Sequence, residues 1–189
     1  MNYDVLVEKL MDVYANSSFS EEVVHAKREF FDRAGILDEL SGDFEMKMAQ
    51  FVDWYLFSRP LKSTQHTPLQ RALEEGLRSL DEKDRVGLEN LHKSIHSLFE
   101  FVKVKGEDVY VRDVFTGIKH IIRKSPIVIG FNRDELFEAR LIPYGDSFQF
   151  SKAFCFHPPP VTKIILKEVK KIKKMPPDQI QQAKEALLV

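Results

Sequence analysis

Residues 98–123, LFEFVKVKGEDVYVRDVFTGIKHIIR, decide the fold: apolar and polar residues alternate along them, and glycine interrupts twice. Leu98 to Lys105, Asp108 to Val114 and Ile118 to Arg123 read as three short strands, because successive side chains of a strand point to opposite faces. Lys105-Gly106-Glu107 and Thr116-Gly117 supply the turns, with glycine where positive φ is needed. The pattern predicts an antiparallel meander. Downstream, residues 127–129 suggest a brief strand after Pro126. Leu136–Ile142 and Phe148–Phe156 suggest a longer pair joined across Pro143-Tyr144-Gly145-Asp146. Phe148, Phe150, Phe154 and Phe156 share one face, interrupted by Lys152, as expected for the lining of a half-open barrel or for a stacking surface.

Outward from this β-region the period becomes helical. Val5, Leu6, Leu10, Met11, Val13 and Tyr14 recur at helical spacing, and Ser18 with Glu21 offers a capping box for a second helix ending at Gly35. A third helix runs from Asp43 through Phe51, Trp54 and Tyr55 and stops before Pro60. Thr67, Pro68 and Gln70 start a fourth, to about Leu80. Asp81 and Asp84 open a fifth that carries Leu88, Leu91 and Ile95. The polar loop 60–67 is expected at the surface. Beyond Pro158-Pro159-Pro160, a basic amphipathic helix from Val161 places Ile164, Ile165, Val169 and Ile172 with Val161 on one side, and Pro176-Pro177 restarts a short final helix. The predicted fold is α+β: an N-terminal helical domain (1–96), a small antiparallel β-barrel-like domain of five to six strands (97–157) and a C-terminal amphipathic helix pair (158–189).

The chain has 189 residues, 43% of them apolar and 15 of them Phe, enough for a core without staples. Cys155 is the single cysteine, so no disulfide forms within the chain, and a reducing compartment, the cytoplasm, is the expected location. No apolar run approaches the ~20 residues needed to span a bilayer, and the N-terminus lacks a signal-peptide pattern. Residues 1–90 hold 18 Asp and Glu against 11 Lys and Arg, whereas 91–189 hold 11 against 17. This opposition permits the halves to attract each other and the basic half to meet an acidic partner.

Several residues carry a resemblance. Phe51, Trp54, Tyr55, Leu56, Phe57, Pro60 and Thr67-Pro68-Leu69, then Leu98-Phe99-Glu100, Val111-Arg112-Asp113-Val114-Phe115-Thr116-Gly117 and Ala139-Arg140-Leu141-Ile142-Pro143-Tyr144-Gly145-Asp146, make roughly residues 45–155 similar to bacterial proteins that often end in a SEC-C zinc motif. The resemblance implies a helical segment before a small β-module, a bacterial origin and no assigned activity. With one cysteine the chain has no SEC-C motif, so zinc, ribosome or SecB-like association does not carry over.

Catalytic signatures are absent from the pattern. His92 and His96 lie four apart, where a helix would present both to one metal with Glu89 or Glu100, but Lys93 stands where a zinc hydrolase needs its glutamate base. Cys155 between Phe154 and Phe156 reads as packed core, and Asp113/Thr116 and Arg140/Asp146 as loop hydrogen-bonding pairs. Gly117, Gly130 and Gly145 are isolated, so no phosphate loop is present. The expectation is a non-enzymatic interaction module without cofactor or metal. It would bind another protein through the β-module rim and Lys163, Lys167, Lys170, Lys171, Lys173 and Lys174, with Lys152 beside them. Single-stranded nucleic acid is the alternative, lysines meeting phosphates and aromatics stacking on bases; a metal-dependent enzyme comes second. The apolar Leu187-Leu188-Val189 suggests docking, internally or in a homodimer.

Overall fold

The computed structural model describes residues 3–35, 42–75, 81–133 and 136–188. The chain divides into two compact units, Met1–Ser94 and Ile95–Val189. The helix pair expected to stand apart from residue 158 belongs to the second unit.

The first unit holds α1 (Tyr3–Tyr14), α2 (Ser20–Ala34), α3 (Phe44–Phe57), α4 (Pro68–Glu75) and α5 (Glu82–His92). Leu6, Leu10, Tyr14, Phe51, Tyr55, Leu56, Leu88 and Leu91 are fully buried, each stabilising the unit by ~1.5–3 kcal/mol relative to exposure. Both expected proline and aspartate starts are realised. Gln70 N donates to Thr67 Oγ1 while Gln70 Oε1 accepts from Thr67 N, and Asp81 and Asp84 make the same reciprocal pair on α5. The Ser18–Glu21 capping box does not form. Asn16 accepts from Ser18 N and caps a single 3₁₀ turn, Ser17–Phe19, so that α2 begins only at Ser20. The continuation of α4 to Leu80 falls outside the described residues. Loop 60–67 is exposed except at Leu61 and Thr67, which are buried, and Thr64, which is half-buried.

Two polar anchors hold this core. Tyr55 Oη donates to Tyr14 O at 2.5 Å, and burial pushes both phenols up to about 12, so neither ionises near neutrality. Arg59, 5% exposed, reaches Glu22 at 2.6 Å and Glu29 at 2.9 Å and lies over the Trp54 ring. A buried guanidinium needs such partners.

The second unit starts with β1 (Ile95–Lys105), β2 (Asp108–Asp113) and β3 (Lys119–Ile122), then β4 (Leu136–Tyr144) and β5 (Ser147–His157), followed by α6 (Pro159–Ile172) and α7 (Pro177–Leu187). Ile95 is therefore a strand residue. It pairs with Leu141 and packs on the sheet's inner cluster, while α5 stops at His92. The strands close into a ring in the order β1-β2-β3-β5-β4.

Two expectations about the sheet are corrected. Residues 127–129 form no strand, because Ser125 Oγ donates to Ile127 O and accepts from Ile127 N, a local turn that competes with ladder pairing. Nor is the sheet wholly antiparallel: β3 and β5 run parallel, meeting at Ile122 and Phe148. Five strands explain this. Directions can alternate all the way round only when the strand number is even, so an odd ring must contain one parallel seam.

Phe99, Val109, Val111, Ile122, Phe137, Ala139, Leu141 and Phe154 fill the ring's inner face. Phe131, on the connection that is not a strand, inserts its ring 5.5 Å from Phe101, 5.1 Å from Phe137, 5.9 Å from Phe150 and 6.1 Å from Phe156. A second cluster, Leu98, Phe115, Val169, Ile172 and Leu188, packs α6 and α7 on the outer side of β1 and the β2–β3 turn.

Candidate functional site

α6 carries two opposed faces. Thr162, Val169 and Ile172 are buried, and Ile165 packs partly against the same cluster. At 100° per residue, Lys163, Lys167 and Lys170 fall on the opposite side, and Lys174 continues their line in the turn that follows. All four are exposed. The remaining two expected lysines are engaged: Lys171 Nζ bonds Glu168 at 2.7 Å, and Lys173 Nζ donates to Val114 O at 2.9 Å. Lys152 lies elsewhere, on β5, where a register shift between Ala139 and Leu141 places Ser151, Lys152 and Ala153 across from Arg140 alone and carries the lysine out of the inner face.

Val161 and Ile164 are not on the packed side. They are 40% and 62% exposed; by helical angle Ile164 falls between the buried arc and the lysines, next to Lys167, whereas Val161 falls at the edge of the buried arc, one turn before Ile164. The sequence contained this signal for Ile164 alone, since Val161, Ile165, Val169 and Ile172 keep the spacing of one narrow stripe.

The aromatic rings do not form an open stacking platform. Phe154 is buried among Phe131, Phe137 and Phe150, Phe148 packs edge-on to His120, and Phe156, the most open of the four, is 38% exposed.

On the ring's outer face, His96 Nε2 lies 2.8 Å from Glu138 Oε1, Arg140 is the cross-strand neighbour of His96, and Cys155 that of Glu138. Cys155 thus faces outward and is partly exposed rather than core, since it alternates with the inward Phe154. Burial lowers His157 below its ordinary 6.5, with Glu138 opposing. His92 ends α5 and His96 lies on β1, so the helical pair expected for a metal does not exist. Among the described residues, no three His, Cys, Asp or Glu side chains come together so as to hold a metal ion.

Asp113 is a turn residue, as expected. Its Oδ1 accepts from Phe115 N at 2.7 Å and Thr116 N at 2.9 Å, and Thr116 Oγ1 accepts from Ile118 N. Arg140 is buried in β4, whereas the exposed Asp146 faces Arg123 at 3.3 Å. Lys184 on α7, unremarked in the sequence pattern, lies 5.2 Å from the Phe115 ring centre; burial lowers its pKa, with Asp113 opposing. It secures α7 to the β2–β3 turn.

Fold and surface together define an α+β protein in which a helical unit precedes a ring of strands flanked by a lysine-faced helix. The chain belongs to the family of unknown function DUF7986, whose model matches residues 2–186. No curated protein and no solved structure matches it. Among the described residues, no helix is long and apolar enough to cross a membrane.

Proposed function

We propose that the protein is a non-enzymatic interaction module whose α6 presents Lys163, Lys167, Lys170 and Lys174 to an acidic protein surface, with the ring's rim adding contacts. The observation that carries this reading is the exposed Ile164 beside Lys167 in the lysine row, with the exposed Val161 one turn before it. Lysines alone suit any polyanion, but a bordering apolar strip favours a polypeptide that supplies carboxylates and aliphatic groups together. Nucleic acid is the less favoured partner, since stacking on bases requires accessible rings and those of β5 are largely packed on one another. The likeness to regions upstream of SEC-C motifs supports the module architecture and adds no activity.

A photoreactive residue at position 164, in cells that naturally express the chain, tests the reading. Expected are adducts with acidic protein that disappear when Lys163, Lys167, Lys170 and Lys174 are all changed to Glu, with circular dichroism unchanged. Adducts that survive this reversal, or that nuclease removes, overturn it.

A further inference from the structure

The first unit displays a surface of complementary chemistry. α1 buries Tyr3, Leu6, Leu10 and Tyr14, which leaves Val5, Glu8 and Asp12 on its outer side, Val5 at 42% exposure. α5 buries Gly87, Leu88 and Leu91 and leaves Glu82, Val86 and Glu89 outward, Val86 at 45%. The helices lie antiparallel, because Lys9 Nζ meets Asp84 Oδ2 at 2.5 Å while Asn90 Nδ2 donates to Tyr3 Oη at 3.2 Å. In that register Glu89 stands level with Val5, Val86 level with Glu8, and Glu82 level with Asp12. Four carboxylates therefore surround two exposed valines over a length of ~10 Å, at 1.5 Å per helical residue. Lys83 and Arg85 flank this face without entering its centre, and the exposed Lys93, the C-cap of α5, stands at its end beyond Glu89.

The lysine row of α6 has the reciprocal composition. Its four ammonium groups span ~16 Å from Lys163 to Lys174 on the same rise, bordered by Ile164, with the exposed Val161 one turn before it. We infer that the acidic partner of α6 is a second copy of this chain, whose α1–α5 face receives the lysine row. The inference rests on the lysine-face reading above and names its partner. Two different surfaces meet in such a contact, so it is head-to-tail, and copies add successively or close into a ring. Each face sits on helices already fixed by their own cores, so little is lost in ordering them.

Sedimentation of the full chain tests this. Wild type is expected to grow in mass with concentration at about 50 mM salt and to dissociate at about 500 mM, as screening shortens the range of the charges. Changing Lys163, Lys167, Lys170 and Lys174 to Glu, or Glu8, Asp12, Glu82 and Glu89 to Lys, each weakens association at least ~tenfold, since like charges then face each other. An equimolar mixture of the two reversed chains regains it. Reversing Lys105, Lys119 and Lys124 instead leaves it unchanged, which separates the face from net charge. Should a reversed chain misfold, neutral Gln and Asn replacements take its place and also weaken association. A wild type that stays monomeric at low salt, or a mixture that does not associate, overturns the inference. If position 164 still forms lysine-dependent adducts with a different protein, the lysine-face reading stands while the second copy is excluded.

Discussion

His120 stands on β3 with its ring edge-on to Phe99 and Phe148, 9% exposed on the inner side of the sheet. Burial lowers its pKa from 6.5, and Asp113 opposes only in part. A folded value below the unfolded one means that the unfolded chain binds the proton more readily. Stability is therefore fully present above about pH 6.5 and lost as pH falls through the folded pKa. His157 shifts in the same direction. We expect urea unfolding at pH 5.5 to show lower stability than at pH 7.5, and His120→Phe to shrink that difference without removing it. An unchanged difference in the variant would assign the effect elsewhere. At this scale the sequence was partly readable. Asp113 declared its turn because a short carboxylate followed by Thr-Gly has backbone amides within reach. Cys155 was misjudged from its phenylalanine neighbours, although strand alternation alone sets it on the opposite face.

Among the elements, starts and stops written in side-chain chemistry were legible: the Thr67–Gln70 and Asp81–Asp84 caps, and the prolines before α6 and α7. What could not be read was competition. The apolar run at 127–129 has strand composition, yet the Ser125 hydroxyl folds its backbone into a turn, and the connection then delivers Phe131 to the ring. That phenylalanine packs among the rings of β1, β4 and β5 and completes the aromatic cluster inside the ring. Phe131→Ala should cost about 3 kcal/mol, the lower end of the range for Phe truncation because the ring is only partly buried. It should also raise binding of a hydrophobic dye. Chemical denaturation with no measurable loss would show that the loop is an ornament on the ring rather than its plug. The lysine row of α6 was legible as composition. Its division into four exposed lysines and two engaged ones needed the Val114 carbonyl and Glu168 in place.

For the molecule as a whole, the passage from helices to strands was legible as the change of period near residue 97, because helical and pleated burial place apolar side chains at incompatible spacings. The parity of the ring was not legible, since one strand more or fewer changes a seam without changing any strand's own pattern. That parity shapes how the second unit breathes. β1 and β4 are stitched by six residue pairs, β3 and β5 by one. The three-strand meander and the β4–β5 hairpin are thus two leaves joined along the β1–β4 seam, with a single clasp opposite. Amides of β3 that face β5 should exchange with deuterium before those between β1 and β4; the opposite order would mean the clasp is the stronger join. Folding inherits the same asymmetry, as both leaves are built from contacts near in sequence and the clasp can fasten only after they have met.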